Sequence, residues 1–343
     1  MKSLILKESS PVPLFEIVEV SDPILSGGEV LVQVAATGLC RHDVSVMDGT
    51  LRRGTRKNVV LGHEISGTVI QINGDTKGIK VGAKIVTSLT NHCGKCSYCK
   101  SSREYMCQKG QGFGHGIDGG FSQLIALKAV NLIELDPSID LVEACLIACP
   151  MGVALKAIHD VARVQEGDDV VIFGIGGGLG IHLAQIAADV GANVIGFTTN
   201  PQKLERITNM GFERVFLHQD GIAPSDLVMA FTEDKGADIV VNPVGSAVFT
   251  SGLRSLATNG RMLLLGEVKG ESVSVNPAEI LFRNVSIIGC KGADMHHIEA
   301  ASRMVSLGKI KPIVDRVLPF EDVLEAYKHV KSGSSFGRVV LVP

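Results

Sequence analysis

The sequence predicts an α/β protein of two domains, one rich in β-strands and one built on a doubly wound parallel sheet. Three observations carry this expectation. The first third of the 343 residues is a series of β-branched segments broken by Gly, Pro and Asn. Beyond about residue 151, short apolar strands alternate with amphipathic helices. One of those strands runs straight into a glycine-rich turn followed by a helix.

Taken in chain order, residues 5–20, 29–40, 66–72 and 83–89 read as strands of an antiparallel, barrel-like domain. Residues 142–164 (VEACLIACPMGVALKAIHDVARV) read as one long helix, with a break at Pro150 because proline removes a helical donor. DDVVIFG, ANVIGFT, ADIVVNP, GRMLLLG and VSIIGCKG are short and apolar, as strands buried on both faces must be. Between them, IHLAQIAADVG, PQKLERITNMG and AVFTSGLRSLATNG are amphipathic, and each ends in glycine, which predicts a glycine C-cap for all three helices. The tail from residue 295 adds helices and a closing strand, GRVVLV.

Composition removes several function classes. A net charge of -3 gives no reason to expect a nucleic-acid partner, since such proteins carry a basic excess. No apolar run approaches the roughly twenty residues that span a bilayer, so no membrane partner is expected. The first twenty residues read as a strand, not an export signal. Eight cysteines in such a chain point to a reducing compartment, and a cytoplasmic location is the expectation.

Four of those cysteines, Cys93, Cys96, Cys99 and Cys107, fall in the run HCGKCSYCKSSREYMC. The spacing C-x2-C-x2-C-x7-C brings four thiolates within reach of one ion, and a tetrahedral zinc prefers that set. Gly94 lies between the first two, where a tight sulfur-bearing turn favours a residue that tolerates positive φ. The alternative is a pair of disulfides, which the expected compartment disfavours.

In GIGGGLG, Gly174, Gly177 and Gly180 give G-x-x-G-x-x-G, with Gly176 and Gly178 between them. Leu179 stands where the strict G-x-G-x-x-G pattern has its last glycine. Between a strand and a helix, such a turn lets backbone amides approach a pyrophosphate at the positive helix end. At the end of the next strand an NAD site usually carries a carboxylate for the ribose 2′-hydroxyl. This chain has Thr198, Thr199 and Asn200, followed by Lys203 and Arg206. Hydroxyls, an amide and a nearby cation accept a 2′-phosphate, so NADP(H) is favoured over NAD(H). Neutral residues also tolerate NAD(H), and a solvent-facing Lys203 is the alternative to a phosphate contact.

Cys40 in GLCRHD, His63 in LGHEISG and Cys149 in ACPMGVAL are unremarkable singly. In order, together with C-x-x-D, G-H-E, the four-cysteine lobe, the glycine turn and GRVVLV, they resemble the zinc-dependent alcohol dehydrogenases of the medium-chain dehydrogenase/reductase superfamily. The resemblance runs end to end. It implies a GroES-like catalytic domain from residues 1–150 and 290–343, a Rossmann dinucleotide-binding domain from 151–289, and a structural zinc lobe over 92–108. It implies two Zn2+ per chain, the catalytic one held by Cys40, His63 and Cys149, with water, substrate or Glu64 in the fourth position. Asp43 would orient His63, and Arg41 would reach the cofactor pyrophosphate or else lie solvated.

The family usually has Ser or Thr at the position of His42, where a hydroxyl passes the alcohol proton towards solvent. Histidine can do the same, and a relay through water is the alternative. Cys145 and Cys290 are expected to be buried small residues, and His296 and His297 a helix start. The implied activity is interconversion of a small-molecule alcohol and an aldehyde or ketone with NADP(H) or NAD(H), in a homodimer or homotetramer. The alternatives are an enoyl (carbon–carbon double bond) reductase of the same superfamily and, outside enzymes, a zinc-ribbon binding module.

Overall fold

The computed structural model describes residues 1–76, 78–218 and 221–343. The chain divides into two compact units, Met1–Val153 with Gly292–Pro343, and Ala154–Lys291.

The first unit is organised around the strand Glu29–Leu39, an eleven-residue run whose Val30, Val32, Val34 and Ala36 are buried. In the main sheet the order is Val314–Pro319, Arg338–Val342, Glu29–Leu39, Glu64–Asn73, Lys84–Thr87 and Leu132–Glu134, and Leu124–Lys128 also pairs with Glu29–Leu39. All of these pairings are antiparallel except that of Val314–Pro319 with Arg338–Val342. The expected opening strand is a hairpin of two, Lys2–Glu8 against Leu14–Glu19, because the two prolines at 11 and 13 turn the chain. One core gathers Leu4, Leu39, Met47, Leu61, Phe121, Tyr327 and Leu341. A second gathers Val30, Val32, Ile65, Val69, Ile85 and Leu127 on the other side of the central strand.

The second unit is a six-stranded sheet in the order Val215–Leu217, Asn193–Thr198, Asp169–Phe173, Ala237–Asn242, Leu256–Leu264 and Ser286–Gly289. Every pairing is parallel. In order of appearance the strands run 3-2-1-4-5-6, the doubly wound arrangement whose chain reversal lies beside the first strand. Its core stacks Phe173 on Phe197 at 5.3 Å between ring centroids, among Val171, Val240, Leu253 and Met262.

Two expectations are corrected. The run 142–164 is helical but irregular, and its interruption falls at residues 145–146, not at Pro150. It is a chain of short turns, Leu141–Ala144, Ile147–Met151, Gly152–Leu155 and Lys156–Ala162, the second and fourth with wide π geometry. Pro150 lies inside the first π turn, where a wider ring accommodates a residue with no amide hydrogen. The glycine C-cap holds for only one helix of three. Ser246–Ser255 ends in the extended residue Leu256, and Asn259 and Gly260 belong to the strand Leu256–Leu264. Gly191 does cap Gly180–Val190 with φ of 92°, while Pro201–Thr208 closes on Asn209 two residues before Gly211. Asn259 keeps a left-handed φ of 65°, and with Gly260 it lies in the irregularity between the Ala237–Leu256 and Ile239–Arg261 pairings, so the turn signal is spent on a bulge in the strand.

Candidate active site

The register of the first sheet assembles the residues that the sequence scatters. Gly38 pairs with Glu64, so Cys40, just past one strand end, lies beside His63 and Glu64 at the start of its neighbour. Val339 pairs with Leu39 on the other side, which brings Arg338 to the same place. Cys149 arrives from the π turn Ile147–Met151. The ligand atoms of Cys40, His63, Glu64 and Cys149 all lie within 4.8 Å of one another.

Cys40 is the N-cap of the helix Arg41–Met47, and Asp43 closes a capping box on it. Asp43 Oδ2 accepts from the Cys40 amide at 2.9 Å, and its Oδ1 lies 3.2 Å from His63 Nδ1. Asp43 is fully buried, so one carboxylate ends the helix and fixes the imidazole. With Nδ1 engaged, His63 presents Nε2 to the other donors. Burial works against the charged imidazole, yet Asp43 and Cys40 hold His63 well above its usual value. The hydrogen bond with Cys149, aided by Arg338 and His63 against burial, holds the Cys40 thiol well below its usual value.

Glu64 is completely buried, and burial pushes its carboxyl up to about 7 against the pull of Arg338. Arg338 Nη2 lies 2.9 Å from Glu64 Oε1, within ion-pair distance but outside hydrogen-bond geometry. Both Glu64 oxygens are therefore buried without a hydrogen bond among the described residues. Unmet oxygens beside two thiols and an oriented imidazole are what a divalent ion with soft and borderline ligands satisfies. This donor set fits a zinc.

His42 lies half-buried between two other histidines. Its ring meets His63 edge-on at 5.3 Å between centroids, and His115 at 5.3 Å on another side. Burial lowers its pKa. Its nitrogens make no hydrogen bond among the described residues, which leaves them available to substrate or water. Arg41, by contrast, is engaged. Its guanidinium donates to the Lys331 carbonyl at 3.2 Å, at the C-terminal end of the helix Val323–Lys331.

The four-cysteine lobe is assembled as well. Sulfur separations are 4.0 Å for Cys93–Cys99, 3.5 Å for Cys96–Cys99 and 3.9 Å for Cys96–Cys107. A tetrahedral zinc about 2.3 Å from each sulfur spaces them by about 3.8 Å, whereas a disulfide needs about 2.05 Å. All eight cysteines are free thiols. Gly94 takes φ of 66°, and the amides of Lys95 and Cys96 bring the Cys93 thiol down to about 6, the direction that favours a ligand thiolate. Cys145 and Cys290 are buried, and His296 and His297 open the helix Met295–Ser306.

In the second unit the turn after Asp169–Phe173 is a close-packed cradle. Gly174 has φ of 63°, and a Cβ on Gly180 would press into the backbone of Gly174 and Ile175. A Cβ on Gly176 would come within 2.8 Å of Lys203 Cδ, so Lys203 lies along the turn. Lys203 is only 7% exposed, which removes the reading of it as a solvent-facing lysine. Backbone that no side chain can enter, at the N-terminus of Gly180–Val190, suits a pyrophosphate. Gly177 and Gly178 continue that turn, and the Gly178 carbonyl lies 2.6 Å from the buried ring of His182. Leu179 is the helix N-cap position.

At the ribose end the candidates separate. Thr198 is buried, with its hydroxyl accepting from the Asn200 amide at 3.3 Å, and Asn200 caps Pro201–Thr208 through Gln202. Thr199 is exposed.

Two residues at the metal site escape a reading of the sequence. Arg338 opens an apolar closing strand, and a lone arginine ahead of the four apolar residues Val339–Val342 is the signal available in the sequence. His115, in GFGHGIDGGF, gives no local signal, because only tertiary packing brings it to His42.

A GroES-like β unit with two thiolate-rich donor sets, and a Rossmann-type unit with its glycine cradle, define the class of a zinc-binding dehydrogenase. Residues 26–137 match the alcohol dehydrogenase GroES-like domain, and residues 178–307 the zinc-binding dehydrogenase domain. Among curated relatives, an acryloyl-coenzyme A reductase of Metallosphaera sedula is 27% identical, with 95% of this chain and 96% of that protein aligned. An alcohol dehydrogenase of Geobacillus stearothermophilus is 29% identical, with 95% of each covered. The crystal structure of AibC superposes with a TM-score of 0.90 at 30% identity, over all of this chain and 96% of that one. The chain belongs to the zinc-dependent alcohol dehydrogenase family of the medium-chain dehydrogenase/reductase superfamily, and it is an oxidoreductase. No helix among the described residues is long and apolar enough to cross a membrane.

Proposed function

We propose that the protein is a zinc-dependent oxidoreductase that interconverts an alcohol and an aldehyde or ketone, exchanging hydride with a nicotinamide dinucleotide. The observation that carries this reading is the convergence of Cys40, His63, Glu64 and Cys149 donors within 4.8 Å. A zinc held there supplies Lewis acidity towards a carbonyl or alcohol oxygen. Cys40, His63 and Cys149 would hold it, and Glu64 would share the fourth position with substrate. Asp43 keeps His63 Nε2 aimed at that position, and Arg338 offsets the charge of Glu64 when an oxygen of substrate takes its place. His42, with both nitrogens unengaged among the described residues, would pass a proton between the reacting oxygen and solvent. Cys93, Cys96, Cys99 and Cys107 would take a second, closed zinc that braces the lobe.

A second reading, reduction of a carbon–carbon double bond conjugated to a thioester carbonyl, is supported by the likeness to an acryloyl-coenzyme A reductase. The same polarised carbonyl serves both reactions, so the donor set is compatible with each. A panel of alcohols, aldehydes and enoyl thioesters with NADH and NADPH tests them. Turnover of alcohols or aldehydes supports the first, and turnover of enoyl thioesters alone replaces it with the second.

For the dinucleotide we propose a preference for NADP(H), supported by the absence of a carboxylate at residues 198–200 and by Lys203 against the turn. Thr198 is buried, so a carboxylate belongs at the exposed Thr199. Thr199→Asp is expected to lower the NADP(H)/NAD(H) ratio of kcat/KM roughly tenfold, as like charges placed together do. An unchanged ratio would remove Thr199 from the account.

A further inference from the structure

The loop at residues 51–58, LRRGTRKN, carries Arg52, Arg53, Arg56 and Lys57, all exposed. We propose that this loop is the binding site for the polyphosphate of a coenzyme A-type carrier, so that the substrate is presented as an acyl-CoA thioester. The inference rests on the reading of Cys40, His63 and Cys149 as the reacting centre, and it holds whether the reduced bond is C=O or C=C.

The loop is tied to that centre through one residue. His115 meets His42 edge-on, and His42 meets His63. The same His115 fastens the loop at two points: its ring Nε2 lies 2.9 Å from the Arg53 carbonyl, and its own carbonyl accepts from the Arg56 amide at 2.9 Å. Gly54, with φ of 81°, turns the chain against the His115 ring, and Thr55 Oγ1 closes back on the Leu51 carbonyl at 3.1 Å. Four cations are thus held on a fixed backbone, which lowers the ordering cost of binding.

Their charges are not used up internally. Arg56 pairs with Asp118 at 2.9 Å, and Arg52 Nε donates to the Gly49 carbonyl. The side chains of Arg53 and Lys57 have no hydrogen-bond or ion-pair partner among the described residues. In a chain of net charge -3, four cations within eight residues, one of them paired with Asp118 from outside the loop, form a local anion site. Arginine supplies the planar, two-pronged donor that phosphate prefers, and lysine a point charge beside it.

The test is calorimetric titration of the full-length, zinc-loaded protein with coenzyme A, with inorganic pyrophosphate and NADPH as separate probes. In Arg53→Ala/Lys57→Ala, the Kd for coenzyme A is expected to rise roughly tenfold or more as two charge-assisted contacts go, while the Kd for NADPH and the melting temperature stay put. Arg53→Lys should recover part of the loss. Binding of coenzyme A that falls with salt, and exceeds that of pyrophosphate, would support a carrier site over a general anion patch. Failure of coenzyme A to bind, or equal binding in the double variant, would overturn the inference. If coenzyme A binds through Arg53 and Lys57 but no alcohol, aldehyde or enoyl thioester is turned over, the functional reading fails and the carrier site stands.

Discussion

Cys40→Ser is expected to lower the zinc content from two to one per chain and kcat/KM by about a thousandfold or more. The basis is the donor set: Cys40 lies with His63, Glu64 and Cys149 inside 4.8 Å, and its thiol is the one held well below the usual value. Loss of a Lewis acid that supplies several kcal/mol at the transition state corresponds to about tenfold in rate per 1.4 kcal/mol. Cys99→Ser gives the contrast. It should also leave one zinc, because the lobe loses a sulfur 3.5 Å from Cys96, but activity should fall far less than in Cys40→Ser. Metal analysis beside steady-state rates reads both variants. Two zincs retained in Cys40→Ser, or undiminished activity, would remove the catalytic assignment of this set.

Arg338→Met is expected to destabilise the first unit by about 3–5 kcal/mol, because it removes the guanidinium that holds down the pKa of the buried Glu64 carboxyl, which must then lose its ion pair or take up a proton. Arg338 is itself 6% exposed, and Glu64 is completely buried, so solvent cannot take over the role of either partner. The companion variant Arg338→Met/Glu64→Gln should recover most of the loss, since neither charge then remains. Urea unfolding of the zinc-loaded chain followed by tryptophan-independent far-ultraviolet dichroism suits a protein with no tryptophan. A single variant as stable as the parent would show that the pair does not hold the closing strand Arg338–Val342 in place.

Much of this molecule is readable from local pattern. β-Branched runs with turn residues between them specify the strands of the first unit, and apolar strands alternating with helices specify a parallel sheet, because those periodicities are set by which faces must be buried. The four-cysteine lobe is legible for the same kind of reason: all its donors sit within fifteen residues, so spacing alone limits their geometry. Where local signals compete with distant pairing, they are less dependable. Asn259 and Gly260 carry a helix-stop signal, yet they lie in a bulge of the strand Leu256–Leu264, whose flanking Leu256 and Arg261 pair with Ala237–Asn242. Pro150 signals a break, and the structure absorbs it in a wider turn that also carries Cys149.

The sequence by itself determined the two-domain α/β plan, the glycine turn between strand and helix, and the identity of the dispersed donors once their order was compared with a family. Tertiary structure alone decided what surrounds them. The register of Gly38 against Glu64, and of Leu39 against Val339, sets Arg338 on Glu64, a pairing across 274 positions that no local pattern encodes. Packing alone places His115 against His42 and fastens the basic loop beside it, and burial alone separates Thr198 from Thr199. The physical reason is common to all three: charge pairing, ring contact and exposure depend on distances through space, and the chain records only distances along itself.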